Sequence, residues 1–96
     1  MKKVILSADG DRMLYSVPDP AADALYRFCM EFLHWMQRTP AGKKFWDGRG
    51  YRYTEADFID WLNERFPEQR SVLLKDICDY DADIPAEYRD LPYFNF

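Results

Sequence analysis

The chain has 96 residues, a net charge of −4, 48% hydrophobic residues and 18% aromatic residues. This length is typical of one domain, and the apolar content is too high for a disordered chain. The apolar run Val4-Ile5-Leu6 is too short for a signal-peptide core, and no later run approaches the length of a membrane span. Cys29 and Cys78 lack the CxxC spacing of a redox or metal site, so we expect two free thiols in a reducing compartment. We therefore expect a single cytoplasmic domain over residues 1–96 that makes no contact with a membrane.

The charge is distributed unevenly along the chain. Residues 38–53 carry five basic side chains against one acidic side chain, whereas residues 54–96 carry four basic and eleven acidic side chains. A basic middle and an acidic end either attract each other within the fold or face charged partners.

The first two segments are predicted to form a β-hairpin. Lys3–Ser7 and Arg12–Val17 read as strands, and Asp9-Gly10 between them is the preferred pair for a two-residue type I′ turn, in which both residues have positive φ. A turn at this place sets Leu6 opposite Met13 on one apolar face. A hairpin alone is only marginally stable, so this face requires a helix.

A helix is predicted to follow Asp19 and to end at the Thr39-Pro40 pair. Asp19 suits the N-cap, Pro20 suits the first helical position, and a residue before proline avoids the α-helical region. Apolar side chains span about 220° of this helix, whereas one packing surface needs little more than about 100°. The arc is covered either by the hairpin, the second helix and the aromatic tail together, or in part by a protein partner or a second copy. The side chains predicted to face such a partner are Tyr26, Met30, Leu33 and Trp35.

Residues 40–50 are predicted as a loop or a short helical turn, and residues 43–53 interleave basic and aromatic side chains. Such a mixture contacts phosphates while its rings stack on bases. Nucleic-acid binding is an alternative hypothesis only, because domains of that kind usually carry excess positive charge over the whole fold. The competing interpretation buries the rings and pairs the cations with Asp57, Asp60 or the acidic C-terminal segment. The nucleic-acid candidates are Lys43, Lys44, Trp46, Arg49, Tyr51 and Arg52.

A second helix is predicted from Thr54 to Phe66, because Thr54 and Asp57 have the spacing of a capping box and Pro67 follows. The next segment, Ser71–Cys78, fits either a short helix or a strand added to the hairpin. We expect the helix, because Lys75 and Asp76 interrupt the apolar run as a solvent-exposed helical face does.

The C-terminal segment is acidic and is predicted to be irregular, with one helical turn at Pro85–Asp90. Its start has the D-x-D-x-D pattern of an EF-hand calcium loop, in which alternate carboxylates converge on one cation. Ile84 stands where that loop needs glycine, and an aspartate stands where it needs a bidentate glutamate, so we expect a solvated loop and no metal. The weak candidate ligands are Asp79, Asp81, Asp83 and Asp90.

These elements together predict an α+β fold. An N-terminal β-hairpin, with a third short strand as an alternative, packs on two main helices and precedes the irregular acidic segment. The aromatic tail Pro92-Tyr93-Phe94-Asn95-Phe96 is expected to pack back onto the domain, because such a terminus is not left in water.

Three stretches resemble a group of short, uncharacterised bacterial proteins. They are Leu14–Asp19, Thr54–Phe66 with Pro67-Glu68, and the aromatic tail Pro92–Phe96. The resemblance implies a bacterial single-domain protein and assigns no activity.

No enzyme is predicted from the sequence. His34 is the only histidine and lies about 140° around the helix from Cys29, so the two do not form a thiolate–imidazole pair there. No phosphate-binding glycine loop or nucleophile elbow is present, and no cofactor is expected. We expect a protein–protein interaction module of the adaptor or inhibitor type, which uses the apolar helix face and the split charge.

Overall fold

The computed structural model describes residues 1–79 and 81–96. It confirms the α+β class, with a four-stranded mixed sheet in the order β3-β2-β1-β4. The strands are β1 Lys2–Ser7, β2 Arg12–Val17, β3 Val72–Cys78 and β4 Tyr93–Asn95. The helices are α1 Asp19–Asp23, α2 Leu25–Arg38 and α3 Glu55–Arg65, with 3₁₀ turns at Pro40–Phe45 and Ala86–Tyr88.

The hairpin pairs in the predicted register. Leu6 lies opposite Met13 and Val4 opposite Tyr15. The prediction of a type I′ turn is wrong, because Asp9 alone has positive φ, at 56°, and Gly10 does not. The strands end at Ser7 and begin again at Arg12, so the connection is four residues long and needs only one left-handed residue. Aspartate tolerates that conformation well.

The predicted first helix is divided in two at Ala24, which has φ −131° and ψ 45°. Hydrogen bonds from Ala24 N to Pro20 O and from Phe28 N to Ala24 O continue across the break. The helix begins one residue earlier than predicted, with Pro18 at the cap position. Alanine favours helix, so no local signal predicts this break.

The core lies between one face of the sheet and the helices, and Phe32 is at its centre. Its fully buried ring lies 5.7–5.9 Å from the ring centroids of Tyr53, Phe58, Trp61 and Phe96. Edge-to-face packing of this kind adds to the free energy gained by burying apolar area. The predicted cap of α3 is also present, because Thr54 N–H donates to an Asp57 carboxylate oxygen at 2.9 Å.

The segment Val72–Cys78 is a strand, so the expectation of a short helix is wrong. It pairs antiparallel with β2. The register of this pairing shifts at two places, between Arg12 and Met13 and between Leu14 and Tyr15 of β2. Charged residues among apolar ones suggested one exposed helical face, but most of this strand is exposed on both sides. Backbone hydrogen bonds to β2 hold it rather than a buried face, and side-chain periodicity does not report such bonds.

The aromatic tail packs back onto the domain as predicted, but it does so as a strand. Phe94 and Phe96 lie against the core. β4 runs parallel to β1, and Phe96 N donates to Ser7 O at 2.8 Å. The connection from β3 to β4 crosses the sheet face opposite the helices, because Arg12 on that face donates to the carbonyl oxygen of Ala82.

Among residues 1–79 and 81–96, no helix is long and apolar enough to cross a membrane.

Candidate binding surfaces

The four helix residues predicted to face a partner have different environments. Leu33 and Trp35 are half-buried and pack against the core, and Met30 is half-buried. Tyr26 is 70% exposed, and its ring lies 6.0 Å from the ring of Phe94. The hairpin, α3 and the aromatic tail therefore cover much of the arc, and Tyr26 is its broadly exposed member.

A larger apolar surface lies on β3, at the edge of the sheet. Val72, Leu73 and Leu74 are 49%, 51% and 45% exposed. β2 pairs with one side of β3, and no strand within the described parts of the chain pairs with the other side. We call residues 72–76 of β3 the open edge. An exposed apolar edge strand offers unpaired backbone groups to another strand, and most proteins protect such edges.

The position of the open edge depends on one buried amide. Asn63 on α3 accepts a hydrogen bond from Ser71 N at 2.6 Å and donates to Ser71 O at 3.4 Å. Both residues are buried. The amide thus satisfies both backbone groups of the residue that precedes β3 and fixes the strand against α3.

Carboxylates surround the far end of the open edge. A hydrogen bond from protonated Asp11, in the hairpin turn, to the carboxylate of Asp76, followed by repulsion from the Asp76 charge, raises the pKa of Asp11, and Asp79 also hydrogen-bonds to Asp11. The charge of Asp76 is thus close enough to act on Asp11. Residues 71–83 carry four aspartates and one lysine. The open edge therefore combines apolar side chains with negative charge.

The predicted nucleic-acid residues lie around a tight turn. Asp47 accepts hydrogen bonds from the backbone N–H groups of Arg49 and Gly50, both at 2.9 Å. Its carboxylate also forms an ion pair with Arg52 at 2.5 Å. These donors lower the pKa of Asp47. Gly48 has φ +96°, a conformation that glycine adopts without strain. An isolated antiparallel β-bridge joins Trp46 and Tyr51 across this turn.

An open cleft of about 520 Å³ lies beside this turn, at the C-terminal end of α2. Arg38, Lys43, Trp46 and Tyr51 are among its lining residues, and none of the described lining residues is acidic. The Trp46 ring is 51% exposed and lies 5.1 Å from the Tyr51 ring, edge to face. We call these four residues the basic-aromatic cleft. Arg38 was not among the residues predicted from the sequence to bind nucleic acid. Its position in the last turn of α2, shortly before the basic-aromatic segment 43–53, could have indicated it.

The cations of this segment differ in their partners. Arg52 is paired with Asp47, and Lys44 lies over the Phe45 ring at 5.1 Å. Arg38, Lys43, Lys44 and Arg49 are exposed, and none of the four has an ion pair within residues 1–79 and 81–96. The expected pairing with Asp57 or Asp60 is thus not seen among the described side chains.

The C-terminal aspartates Asp79, Asp81, Asp83 and Asp90 are exposed. In the part of the chain that the structure describes, no three histidine, cysteine, aspartate or glutamate side chains are arranged to hold a metal ion. Tyr80, within the D-x-D-x-D pattern, lies outside the described residues. Cys29 and Cys78 are free thiols, and burial raises the pKa of Cys29.

The chain matches no protein-family model, no curated protein and no solved structure. The resemblance to short bacterial proteins therefore stays an expectation.

Proposed function

We propose that this protein is a cytoplasmic, non-catalytic interaction module that binds an extended segment of another protein along its open edge. The observation that carries the proposal is the exposure of Val72, Leu73 and Leu74, each about half exposed on an edge strand. A strand added to such an edge gains backbone hydrogen bonds, and alternate side chains give specificity.

The partner segment is basic as well as apolar. Asp76 lies on the edge strand itself, and Asp11 and Asp79 are in contact beside it. A lysine or arginine opposite these carboxylates relieves their mutual repulsion, which gives a basic partner an advantage over an acidic one. The proposal keeps the expected use of apolar surface and split charge, but moves the surface from α2 to β3.

A peptide titration tests this proposal. The probe is a fluorescent Lys-Val-Lys-Val-Lys-Val-Lys peptide, which has the same length as β3, seven residues. One control peptide replaces its central valine with proline, which keeps the charge but removes a backbone donor. A second control replaces every lysine with glutamate. We expect the lysine–valine peptide to bind most tightly in a fluorescence anisotropy assay.

Matched variants locate the site. Asp76→Lys is expected to weaken binding of the lysine–valine peptide by about fivefold, because an exposed charge pair is worth up to about 1 kcal/mol. It is also expected to improve binding of the glutamate peptide. Leu74→Lys weakens binding of the lysine–valine peptide, whereas Tyr26→Lys, which places the same side chain on the exposed part of α2, leaves it unchanged.

Three results would contradict the proposal. The first is equal binding of the proline control, which would show charge attraction without strand pairing. The second is loss of binding with Tyr26→Lys, which would return the surface to α2. The third is no binding of the lysine–valine peptide at all.

A further inference from the structure

The basic-aromatic cleft shares no residue with the open edge, and it has a different chemistry. The exposed Trp46 lines it together with the basic residues Arg38 and Lys43. Its volume of about 520 Å³ falls within the range of small-ligand sites. The cleft therefore offers one flat apolar face and two positive charges within the same site.

We propose that the basic-aromatic cleft binds single-stranded nucleic acid, with an unpaired base on the Trp46 ring and the adjoining phosphates against Arg38 and Lys43. Base–aromatic stacking tolerates any base, because every base has a flat face. Phosphates of the strand pair with lysine and arginine and release counterions. A duplex does not fit this arrangement, because its bases are already stacked and present only their edges.

The local charge favours an anion although the whole protein is acidic. Asp47 is the only acidic residue between positions 38 and 53. Its carboxylate is occupied by Arg52 and two backbone N–H groups. Arg38, Lys43, Lys44 and Arg49 have no ion pair among the described residues, so their charge is available to a ligand.

Local packing fixes the site before any ligand arrives. The 3₁₀ turn that carries Lys43 lies so close to α2 that a Cβ added at Gly42 would stand 1.8 Å from the carbonyl oxygen of Met36. On the other side, backbone hydrogen bonds from Arg52 N to Phe45 O and from Trp46 N to Lys43 O hold the main chain of Lys43 and Trp46 in the turn. A backbone that is already fixed loses less entropy on binding than a mobile segment does.

The test is an anisotropy titration of the purified protein with a fluorescent oligothymidine of about 12 nucleotides, a length within the usual range of single-strand sites. The arms of the titration are the same strand annealed to its complement, free thymidine monophosphate as competitor, and an acidic aspartate–tryptophan peptide. We expect the single strand to bind best and the mononucleotide to compete only weakly, because it contributes one phosphate. Stronger binding of the duplex or of the acidic peptide would overturn the proposal.

The key variant is Trp46→Ala, which is expected to weaken binding of the single strand about 5- to 150-fold, the range for loss of one base–aromatic stack. Trp46→Phe keeps a ring and is expected to restore most of the affinity. Thermal melting of both variants checks that the turn still folds. An unchanged affinity in a folded Trp46→Ala protein would contradict the proposal.

A matched pair of double variants separates the cleft from general charge. Arg38→Gln/Lys43→Gln and Lys2→Gln/Lys3→Gln each remove two positive charges, the second pair from the start of β1. The first is expected to weaken binding on the order of tenfold. It should also reduce the slope of log affinity against log salt by about 1.4, because each phosphate that no longer meets a positive side chain accounts for about 0.7. The second should change neither. Equal effects of the two double variants would show that no site exists at the cleft.

Discussion

The two edge strands of the sheet, β3 and β4, are held in opposite ways. β4 is three residues long, and its side chains are fixed on both faces. Phe94 lies in the core on one face, while Tyr93 and Asn95 contact the Ser7 hydroxyl on the other. β3 is seven residues long and keeps three consecutive apolar side chains about half exposed. Both are edge strands, but β4 is short and its side chains are packed, whereas β3 is long and its apolar side chains are exposed, which is why β3 is proposed to bind a partner.

The largest expected difference between the edges is in stability. Phe96 packs its ring 4.7–5.9 Å from the rings of Phe32, Tyr53, Phe58 and Phe94. Phe96→Ala is expected to lower the free energy of unfolding by about 3 kcal/mol, at the lower end for phenylalanine because the ring is half-buried. Leu74→Ala on β3 should lower it by less than about 1 kcal/mol. Urea denaturation measures both. Similar losses would show that β3 is fixed by its side chains as β4 is.

The next effect concerns the buried Asn63 amide that holds Ser71 at the start of the open edge. Asn63→Ala leaves the buried N–H and C=O groups of Ser71 without partners and is expected to cost about 1–3 kcal/mol of unfolding free energy. Glu64→Ala, at the exposed neighbouring position of α3, is the control and should change it by no more than about 0.5 kcal/mol. Thermal melting checks the pair. If Asn63→Ala has no more effect than its control, β3 is not anchored through this amide.

The smallest effect is the pH dependence of the acidic end of the open edge. Hydrogen bonding to Asp76 raises the pKa of Asp11, so the folded protein holds this proton more tightly than the unfolded chain does. Stability should therefore fall as pH rises from about 3.9, the ordinary aspartate value, through the raised pKa. Asp11→Asn removes this contribution, so its Tm should gain on the wild-type Tm as pH is raised from acidic to neutral. A Tm difference that is constant with pH would argue against the repulsion.

Much of the hairpin, of α3 and of the aromatic tail could be predicted from the sequence. The hairpin register, the α3 cap and the return of the aromatic tail depend on local turn preference, cap chemistry and apolar burial, which single residues report. The open edge does not follow from sequence in this way. β3 is held by backbone bonds to β2, which leave no mark on the side-chain pattern of Val72–Cys78, and the strand nature of Tyr93–Asn95 depends on where β1 lies.

The candidate sites show the same limit. The basic-aromatic segment was visible as a run of cations and rings, but its division into a paired Arg52 and an unpaired Lys43 depends on how the Asp47 turn folds. The exposure of Leu73 and Leu74 was hidden, because an apolar run in a sequence usually indicates burial. One signal of this exposure was available in the sequence. The apolar run of Val72–Cys78 is short and is interrupted by charged residues, which does not suit a buried strand.

The most direct test of the open edge is residue-resolved amide hydrogen exchange by NMR, with and without the lysine–valine peptide. We expect that the peptide protects amides of residues 72–76, while amides of β4 and those around Tyr26 keep their exchange rates. Protection confined to α2, protection along β4, or no change on β3 at a saturating peptide concentration would contradict the claim that β3 is the binding edge.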